Sequence, residues 1–241
     1  MTVTSPTAEY AQDIQAIFNR IAPAYDQLND WLSLGQHRVW KHMTVKWSQA
    51  MPGSICLDVC CGSGDLSRLL ARTVGPQGHV YGVDFSVAQL AIAEQRAAAS
   101  LQPLPITWME GDALNLPFPD AQFDAATMGY GLRNVLDIPQ SLAELFRVLK
   151  PGAKVAILDF HRPGDPLVRQ FQQWYLDTLV VPLADALGLR REYAYISPSL
   201  DRFPTGAEQI TLARAAGFAS VVHYPIASGM MGVLVATKPS A

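Results

Sequence analysis

The chain has 241 residues, 49% of them hydrophobic and 16% charged, which is enough for one large core or for one core and a small cap. Its net charge of −3 argues against a nucleic-acid partner held on a broad basic surface. The three cysteines make a poor disulfide framework, and neither a CxxC pair nor an HExxH motif occurs, so we expect no protein-held metal. No signal peptide or membrane-spanning run is evident, which predicts a soluble, cytoplasmic protein.

Strand and helix patterns alternate from Ile55 onward, whereas residues 1–50 are predicted to form a separate helical cap on a domain of residues 51–241. The predicted strands are Ser54–Val59, His79–Val83, Ile106–Glu110, Phe123–Met128 and Lys154–Phe160. The predicted helices are Leu66–Thr73, Val87–Ala99 and Pro139–Leu149, the last ended by a Pro151-Gly152 turn. This alternation predicts an α/β fold with a mostly parallel sheet and helices on both faces.

Residues 161–204 interrupt the alternation and are predicted to form a helical insert after the fifth strand. Asp165 and Pro166 are expected to begin a helix. For the apolar stripe on this helix we favour core packing over the alternative, the wall of a hydrophobic substrate pocket; its members are Leu167, Val168, Phe171, Trp174, Tyr175 and Val180. The sequence then predicts a helix over Thr205–Ala216 and two closing strands, Ser220–Ile226 and Gly232–Thr237, which complete a sheet of seven strands.

A glycine-rich loop follows the first strand in the string LDVCCGSGDLS, Leu57–Ser67. Ligands of open parallel sheets bind at the carboxyl ends of the strands, where this loop is expected. A dinucleotide fingerprint would read GxGxxG, but here only Gly62 and Gly64 are present and Ser67 takes the third position. Asp65 lies where a pyrophosphate would sit and is expected to repel it. The loop therefore favours a cationic nucleoside without phosphate, such as S-adenosylmethionine, over NAD.

Polar residues at the ends of the next strands support a nucleoside site. Asp84 is expected to accept hydrogen bonds from both ribose hydroxyls, and Phe85 to lie along the adenine. Asp112 is expected to accept from the adenine amino group, with Ala113 lining the ring. The carboxylates expected to offset the cationic end of the ligand are Asp58 and Asp65. Each residue alone has an ordinary explanation, such as a helix cap or a turn, but their order along the strand ends predicts a binding site.

These motifs resemble class I S-adenosylmethionine-dependent methyltransferases, and more narrowly the C-methyltransferases of ubiquinone, menaquinone and phylloquinone biosynthesis (the UbiE/MenG type). The narrower resemblance is carried by FNRIAPAYDQLNDWLSLGQHRVWK, GYGLRNV and RFPTGAEQITLARAAGF, and it covers nearly the whole chain from about Ile17. It implies a Rossmann-like fold and S-adenosylmethionine as cofactor. The positions that match the family's cofactor-binding motifs are Ser63, Asp84, Asp112 and Ala113. Gly129 stands where relatives often have serine, and Cys60 and Cys61 where they often have alanine or glycine.

The resemblance implies methyl transfer to a ring carbon of a prenylated demethylquinol, either demethylphylloquinol or demethylmenaquinol. The alternatives are a benzoquinol of the ubiquinone or plastoquinone type, an O- or N-methyltransferase on a small soluble acceptor, and a non-catalytic scaffold of a quinone-biosynthesis complex. A quinol attacks through carbon once a phenolic proton is lost, so the site needs a group that handles this proton.

Four residues are candidates for the chemical step. Arg133 is assigned to stabilising the phenolate, and Asn134 to a hydrogen bond with a quinol oxygen. Tyr25 is expected over the sulfonium, where its π-face favours positive charge. Asp65 is a second candidate for proton handling, and His161 is interpreted as structural.

The resemblance also implies a substrate tail that is buried in a bilayer, so we expect peripheral contact with a membrane face. The residues expected to guide the tail are Trp31, Trp40, Phe171 and Trp174. Members of the family can be dimers, so a homodimer is a further expectation.

Overall fold

The computed structural model describes Ser33, residues 35–186 and residues 196–240. One sheet of seven strands has the order β3-β2-β1-β4-β5-β7-β6. The strands are β1 (Ile55–Val59), β2 (His79–Asp84), β3 (Ile106–Glu110), β4 (Phe123–Gly129), β5 (Leu149–Phe160), β6 (Ser220–Ile226) and β7 (Met231–Thr237). The α-helices are α1 (Gln36–Ser48), α2 (Asp65–Val74), α3 (Val87–Ala98), α4 (Ile138–Val148), α5 (Pro166–Tyr175), α6 (Val181–Ala186), α7 (Ile196–Arg202) and α8 (Gly206–Ala215).

The predicted fold class is confirmed. β1 to β5 pair in parallel, and β7 runs antiparallel between β5 and β6. Apolar helix faces cover both sides of the sheet, since α4 and α8 bury Leu142, Leu145 and Ala213 in one cluster. On the other side α1 and α2 bury Val45, Leu66 and Leu70. Most of the predicted N-terminal cap, including Tyr25 and Trp31, lies outside the described residues.

The predicted start of β5 is wrong. The strand begins at Leu149 instead of Lys154, and the Pro151-Gly152 pair lies inside it. The pairing with β4 shifts register between Phe123 and Ala125, as at a β-bulge. Gly152 has a φ of 80°, which glycine adopts without strain, and its N–H donates to the Lys238 carbonyl over 3.1 Å. The Pro-Gly signal thus marks a bulge within the strand.

Helix α5 begins as predicted, because the Asp165 side chain accepts hydrogen bonds from the N–H groups of Leu167 and Val168. The expected core packing of its apolar stripe is wrong for three residues: Leu167 is 77% exposed, and Phe171 and Trp174 are 51% exposed. Val180, a member of the stripe, is buried as expected, and the other buried residues of the segment are Gln172 and Leu176. Among the described helices, none is both long and apolar enough to cross a membrane.

A histidine pair, with His161 buried and His223 half-buried, joins the end of β5 to β6. The Nε2 atoms of His161 and His223 lie 2.9 Å apart, and the Gln209 side chain lies 3.0 Å from the same His161 nitrogen. Burial lowers the pKa of both imidazoles to about 4, and the neighbouring His161 lowers that of His223 further. Both rings are therefore neutral at pH 7. This placement agrees with a structural role for His161.

We expect the contribution of this histidine pair to the free energy of unfolding to fall as the pH drops from about 6.5 to about 4. The unfolded histidines take up protons near pH 6.5, whereas the native pair resists protonation until about pH 4. The loss should amount to about 1–3 kcal/mol and should be smaller in His223→Gln. Urea denaturation at several pH values measures it, with exposed His42→Gln as the control. Equal pH slopes for wild type and His223→Gln would contradict the assignment.

Candidate active site

A cavity of about 420 Å³ opens at the carboxyl ends of β1, β2 and β4. Most of the residues predicted for the site line it, namely Asp58, Cys60, Gly62, Ser63, Asp65, Asp84, Phe85, Asp112, Ala113, Gly129 and Asn134. Gly64 and Arg133 are not among the described lining residues, and Tyr25 lies outside the described part of the chain. The structure therefore brings most of the predicted residues together at one cavity, and the role of each stays a prediction.

Asp84 ties the glycine loop to the end of β2. Its Oδ2 accepts from the Gly62 N–H over 2.8 Å, and its Oδ1 accepts from the Ser86 N–H over 2.9 Å. Burial raises the pKa of this carboxyl to about 6, although these backbone bonds oppose the shift. Each carboxylate oxygen has a second lone pair, so Asp84 can hold the loop and also accept from a ligand hydroxyl.

Glycine is favoured at the two loop positions for partly different physical reasons. A Cβ at Gly62 would meet only the Gln89 side chain at 3.9 Å, so it would stand in the cavity where a ligand is expected. A Cβ at Gly64 would lie 2.6 Å from the Trp108 ring, and its φ is 82°. Gly62 also has a left-handed backbone, with a φ of 51°, so conformation favours glycine at both positions, while packing against Trp108 adds to the requirement at Gly64 alone.

Asp58 forms part of the cavity floor and is fully buried. Its carboxylate accepts from the hydroxyls of Ser67 over 2.6 Å and Thr127 over 2.8 Å. Burial raises its pKa to about 7, against the opposing effect of these hydrogen bonds. Ser67, at the third position of the dinucleotide pattern, thus serves this carboxyl. Burial also keeps Cys60 and Cys61 as thiols, with pKa values well above the ordinary range.

The expected role of Asp65 is not supported by its surroundings. Its two oxygens form ion pairs with Lys41 Nζ at 2.6 Å and Arg68 Nη2 at 2.5 Å. Burial raises its pKa, but the charges and hydrogen bonds of Lys41 and Arg68 outweigh burial and hold the pKa below its ordinary value. Asp65 is therefore a poor proton acceptor, and its charge is already balanced. Repulsion of a pyrophosphate by Asp65 consequently fails as an argument against NAD.

The far end of the cavity suits a flat base. Ala113 is buried, Phe85 is half-buried, and both line the cavity. Asp112 is exposed, and its Oδ1 accepts from the Leu114 N–H over 2.9 Å in a tight turn. Glu110, which the sequence reasoning missed, adds a second carboxylate here. Its position as the last residue of β3 was the available signal.

A short 3₁₀ turn, Leu132–Asn134, presents Asn134 to the cavity. The Asn134 amide donates to the Tyr130 carbonyl over 3.0 Å, and its buried Oδ1 accepts no hydrogen bond from any described residue. This oxygen is thus an unsatisfied acceptor beside the cavity. Gly129 precedes the turn, and a Cβ there would lie 2.7 Å from Leu66 Cδ1, the end of a flexible side chain that would have to shift to admit a serine.

Arg133 forms a buried ion pair on the other side of this turn. Its Nη1 lies 2.5 Å from Asp159 Oδ1, and the two side chains are only 7% and 2% exposed. Asp159 also accepts from the Arg133 N–H over 3.0 Å, and the guanidinium lies 5.0 Å from the centre of the Phe160 ring. The assignment of Arg133 to a phenolate stays a prediction, and this enclosed pairing argues against it. Asp159 was missed, although it lies near the end of β5.

The fold, the glycine loop and the cavity together define a Rossmann-like methyltransferase site. A family model described as the ubiE/COQ5 methyltransferase family matches residues 6–238, and the chain belongs to this family. It is thus an S-adenosylmethionine-dependent methyltransferase. The residues present fit that donor, since Gly62 leaves room beside the loop, Asp84 can accept from a ribose, and Phe85 and Ala113 can flank a base.

Three curated relatives align with the chain over most of their length. It is 67% identical over 226 residues to "2-phytyl-1,4-naphtoquinone methyltransferase" of Trichormus variabilis, covering 94% of this chain and 99% of the relative. A protein of the same name from Synechocystis sp. is 59% identical, with 98% of both chains covered. The chloroplastic "2-phytyl-1,4-beta-naphthoquinone methyltransferase" of Arabidopsis thaliana is 52% identical, covering 92% of this chain and 86% of the relative.

Solved structures support the fold at much lower identity. A SAM-dependent methyltransferase from Aquifex aeolicus has a TM-score of 0.62 at 18% identity and covers 88% of this chain and 97% of its own. A SAM-dependent methyltransferase from Thermotoga maritima, described as a possible histamine N-methyltransferase, has a TM-score of 0.64 at 20% identity, with 93% and 99% covered. At this identity the likeness concerns the fold alone.

The affinity for S-adenosylmethionine should rise about 3- to 10-fold as the pH increases from about 5.5 to 7.5. Burial raises the pKa values of Asp58 and Asp84 to about 7 and 6, so both carboxyls are partly protonated at the lower pH. A ligand with net positive charge favours their ionised forms, so binding should release protons. Titration calorimetry in buffers of different ionisation enthalpy measures the release, and Asp58→Asn should reduce it. Net proton uptake by the wild type would contradict this linkage.

Proposed function

We propose that the chain transfers a methyl group from S-adenosylmethionine to a ring carbon of a prenylated demethylnaphthoquinol, with reduced 2-phytyl-1,4-naphthoquinone as substrate. The observation that carries the proposal is the 67% identity, over nearly the full length of both chains, to a protein named for this quinone. The same name recurs in relatives at 59% and, with slightly different wording, at 52% identity.

The cavity supports an acceptor with an apolar body and polar oxygens. Val135 and Leu136 line it directly after Asn134, and Leu136 is 39% exposed. A quinol ring can lie against these side chains while its hydroxyl donates to the Asn134 Oδ1. This contact orients the ring and draws electron density toward the carbon that attacks.

The donor supplies an electrophilic methyl group on a sulfonium. The phenolic proton passes to water, and the resulting phenolate has an electron pair at the ring carbon. This pair forms the new carbon–carbon bond, and the carbon–sulfur pair goes to sulfur. The ring then loses the proton of the methylated carbon and becomes aromatic again. No oxidant is needed, but the acceptor must be the reduced form. Asp159 and Arg133 support the turn that carries Asn134.

The test is incubation with methyl-labelled S-adenosylmethionine and a panel of reduced demethylquinones. We expect label in 2-phytyl-1,4-naphthoquinol, with slower transfer to a demethylmenaquinol and to a demethylated benzoquinol. The oxidised 2-phytyl quinone is the control and should remain unlabelled. Labelling of the oxidised form would contradict the mechanism, and preference for a benzoquinol would contradict the proposed ring.

Two rival functions predict other outcomes. An O- or N-methyltransferase would label catechol-like or amine acceptors, with the label on oxygen or nitrogen in the product. A scaffold protein would support quinone methylation in cells even when Asn134→Ala removes the proposed contact with the acceptor. We expect Asn134→Ala to lower kcat about 10- to 100-fold with little change in donor affinity, since it removes one oriented hydrogen bond.

We further propose that the protein is cytoplasmic and meets a membrane face through the exposed apolar side chains of α5 and of the π-helical segment Leu176–Val180 that follows it. These side chains are Leu167, Phe171, Trp174 and Leu179. A phytyl tail is a long hydrocarbon that partitions into lipid, and exposed aromatic side chains favour the bilayer interface. Trp40 is not part of this face, since it packs against the cluster around Tyr130 and Leu158.

Vesicle sedimentation tests the membrane proposal. The wild type should bind vesicles containing phytyl quinone, and the double variant Phe171→Ser, Trp174→Ser should bind them at least about 5-fold more weakly. Exposed Val39→Ser, on α1, is the matched control. If the double variant instead loses a homodimer seen for the wild type by size-exclusion chromatography, the face belongs to a protein interface and the membrane proposal is wrong.

A further inference from the structure

The charges around the cavity are unequally distributed. Among the described residues that line it, Lys41 is the one cationic side chain, while the acidic ones are Asp58, Asp65, Asp84, Glu110 and Asp112. S-adenosylmethionine carries a sulfonium and an ammonium, which suit the carboxylates, but it also carries an α-carboxylate. That carboxylate requires a donor or a cation, because a buried anion without a partner is costly.

Lys41 is fixed beside the glycine loop. It projects from α1, its side chain is 7% exposed, and its Nζ donates to Asp65 Oδ2 over 2.6 Å. The ammonium also lies 5.9 Å from the centre of the Tyr130 ring. Asp65 directly follows Gly64, so its bond with Lys41 anchors the ammonium to the loop that is expected to hold the donor. An ammonium has three N–H donors, and this bond uses one of them.

The corner of the cavity at Asp65 has a positive balance. Asp65 contributes one negative charge, and its two ion-pair partners, Lys41 and Arg68, contribute two positive charges. Arg68 is not among the described lining residues, so Lys41 carries the excess charge into the cavity. The N-terminus of α2 adds a partial positive charge at the same place. A ligand carboxylate would neutralise this excess.

We infer that Lys41 binds the α-carboxylate of the methyl donor, in an arrangement where Asp65 positions the ammonium. The inference rests on S-adenosylmethionine as the proposed donor and is independent of the acceptor. The sequence predicts that Asp65 offsets the cationic end of the ligand. In this inference Asp65 instead holds the Lys41 ammonium, which binds the ligand's carboxylate. Lys41 is then a specificity residue: it makes the protein bind the donor more tightly than adenosine derivatives that lack a carboxylate.

The experiment compares ligands that differ in this carboxylate. The wild type should bind S-adenosylmethionine about 30-fold more tightly than decarboxylated S-adenosylmethionine, measured by titration calorimetry. Lys41→Met should weaken binding of S-adenosylmethionine by about the same factor and change the affinity for the decarboxylated ligand less than about 3-fold. Lys41→Arg keeps the charge and should retain most of the discrimination. Lys46→Met, exposed on the same helix, is the matched control and should match the wild type.

Each other result would overturn the inference. Equal affinity of the wild type for the two ligands would do so without any variant, so a folding defect in Lys41→Met does not prevent the test. Equal weakening of both ligands by Lys41→Met would mean that Lys41 only supports the loop. Unchanged binding with a lower kcat would assign Lys41 to the acceptor. Failure of quinol methylation alongside the expected ligand discrimination would refute the proposed acceptor and leave this inference standing.

Discussion

Asp84→Ala should weaken binding of S-adenosylhomocysteine at least about 100-fold while the sheet stays folded. The substitution removes the acceptor of the Gly62 and Ser86 N–H groups and leaves both without this partner. It also removes the acceptor proposed for the ribose. Hydrogen bonds to charged groups contribute about 1.5–3 kcal/mol each, so two losses suffice for this effect.

Titration calorimetry measures the affinity for S-adenosylhomocysteine, and circular dichroism shows whether the variant is folded. Asp84→Asn keeps one acceptor oxygen and should lose less affinity than Asp84→Ala. Glu94→Gln changes an exposed carboxylate on the adjacent helix α3 and should bind like the wild type. Tight binding by a folded Asp84→Ala protein would show that neither the loop nor the ribose depends on this carboxylate.

Asp159→Ala should lower the free energy of unfolding by about 3–5 kcal/mol, because it leaves the buried Arg133 cation without its carboxylate. The pair is far less exposed than the surface pair of Arg169 and Asp201, whose side chains are 53% and 65% exposed at a separation of 3.6 Å. Asp201→Ala is therefore the matched control, with an expected loss below about 1 kcal/mol. Urea denaturation measures both, and similar losses would refute the structural importance of the buried pair.

The double variant Arg133→Met, Asp159→Leu separates structure from chemistry at this pair. Replacing both charges by apolar groups should recover much of the stability lost in Asp159→Ala. If methyl transfer is recovered as well, Arg133 acts through the turn that carries Asn134. A folded double variant with intact donor binding and no methyl transfer would instead support the assignment of Arg133 to the phenolate.

The sequence predicted what depends on neighbours along the chain. Alternating strand and helix patterns identified the sheet, and chain order then placed Asp84 and Asp112 at the ends of β2 and β3, where ligands bind. Local signals also identified the Asp165 cap. These features follow from periodicity and short-range hydrogen bonds, which a single sequence contains.

The features that the sequence did not predict depend on packing between distant segments. Asp65 has the helix-start position that was expected, but its role is decided by Lys41, which reaches it from α1. Arg133, in the 3₁₀ turn after β4, pairs with Asp159 on β5. For Phe171 and Trp174, periodicity showed that they share one face of a helix, but it contains no information on what that face meets.

The indole of Trp108 occupies the space beneath two glycines at once. A Cβ at Gly64 would approach it to 2.6 Å and one at Gly82 to 2.7 Å, but only Gly64 has a left-handed backbone, with a φ of 82°. Replacing Trp108 by a smaller residue would consequently make room for alanine at position 82. Glycine would still be favoured at position 64, because a side chain there costs about 1–2 kcal/mol in backbone conformation alone. In a library that randomises the three positions together, replacements at 82 should covary with residue 108, whereas glycine at 64 should persist in every active clone.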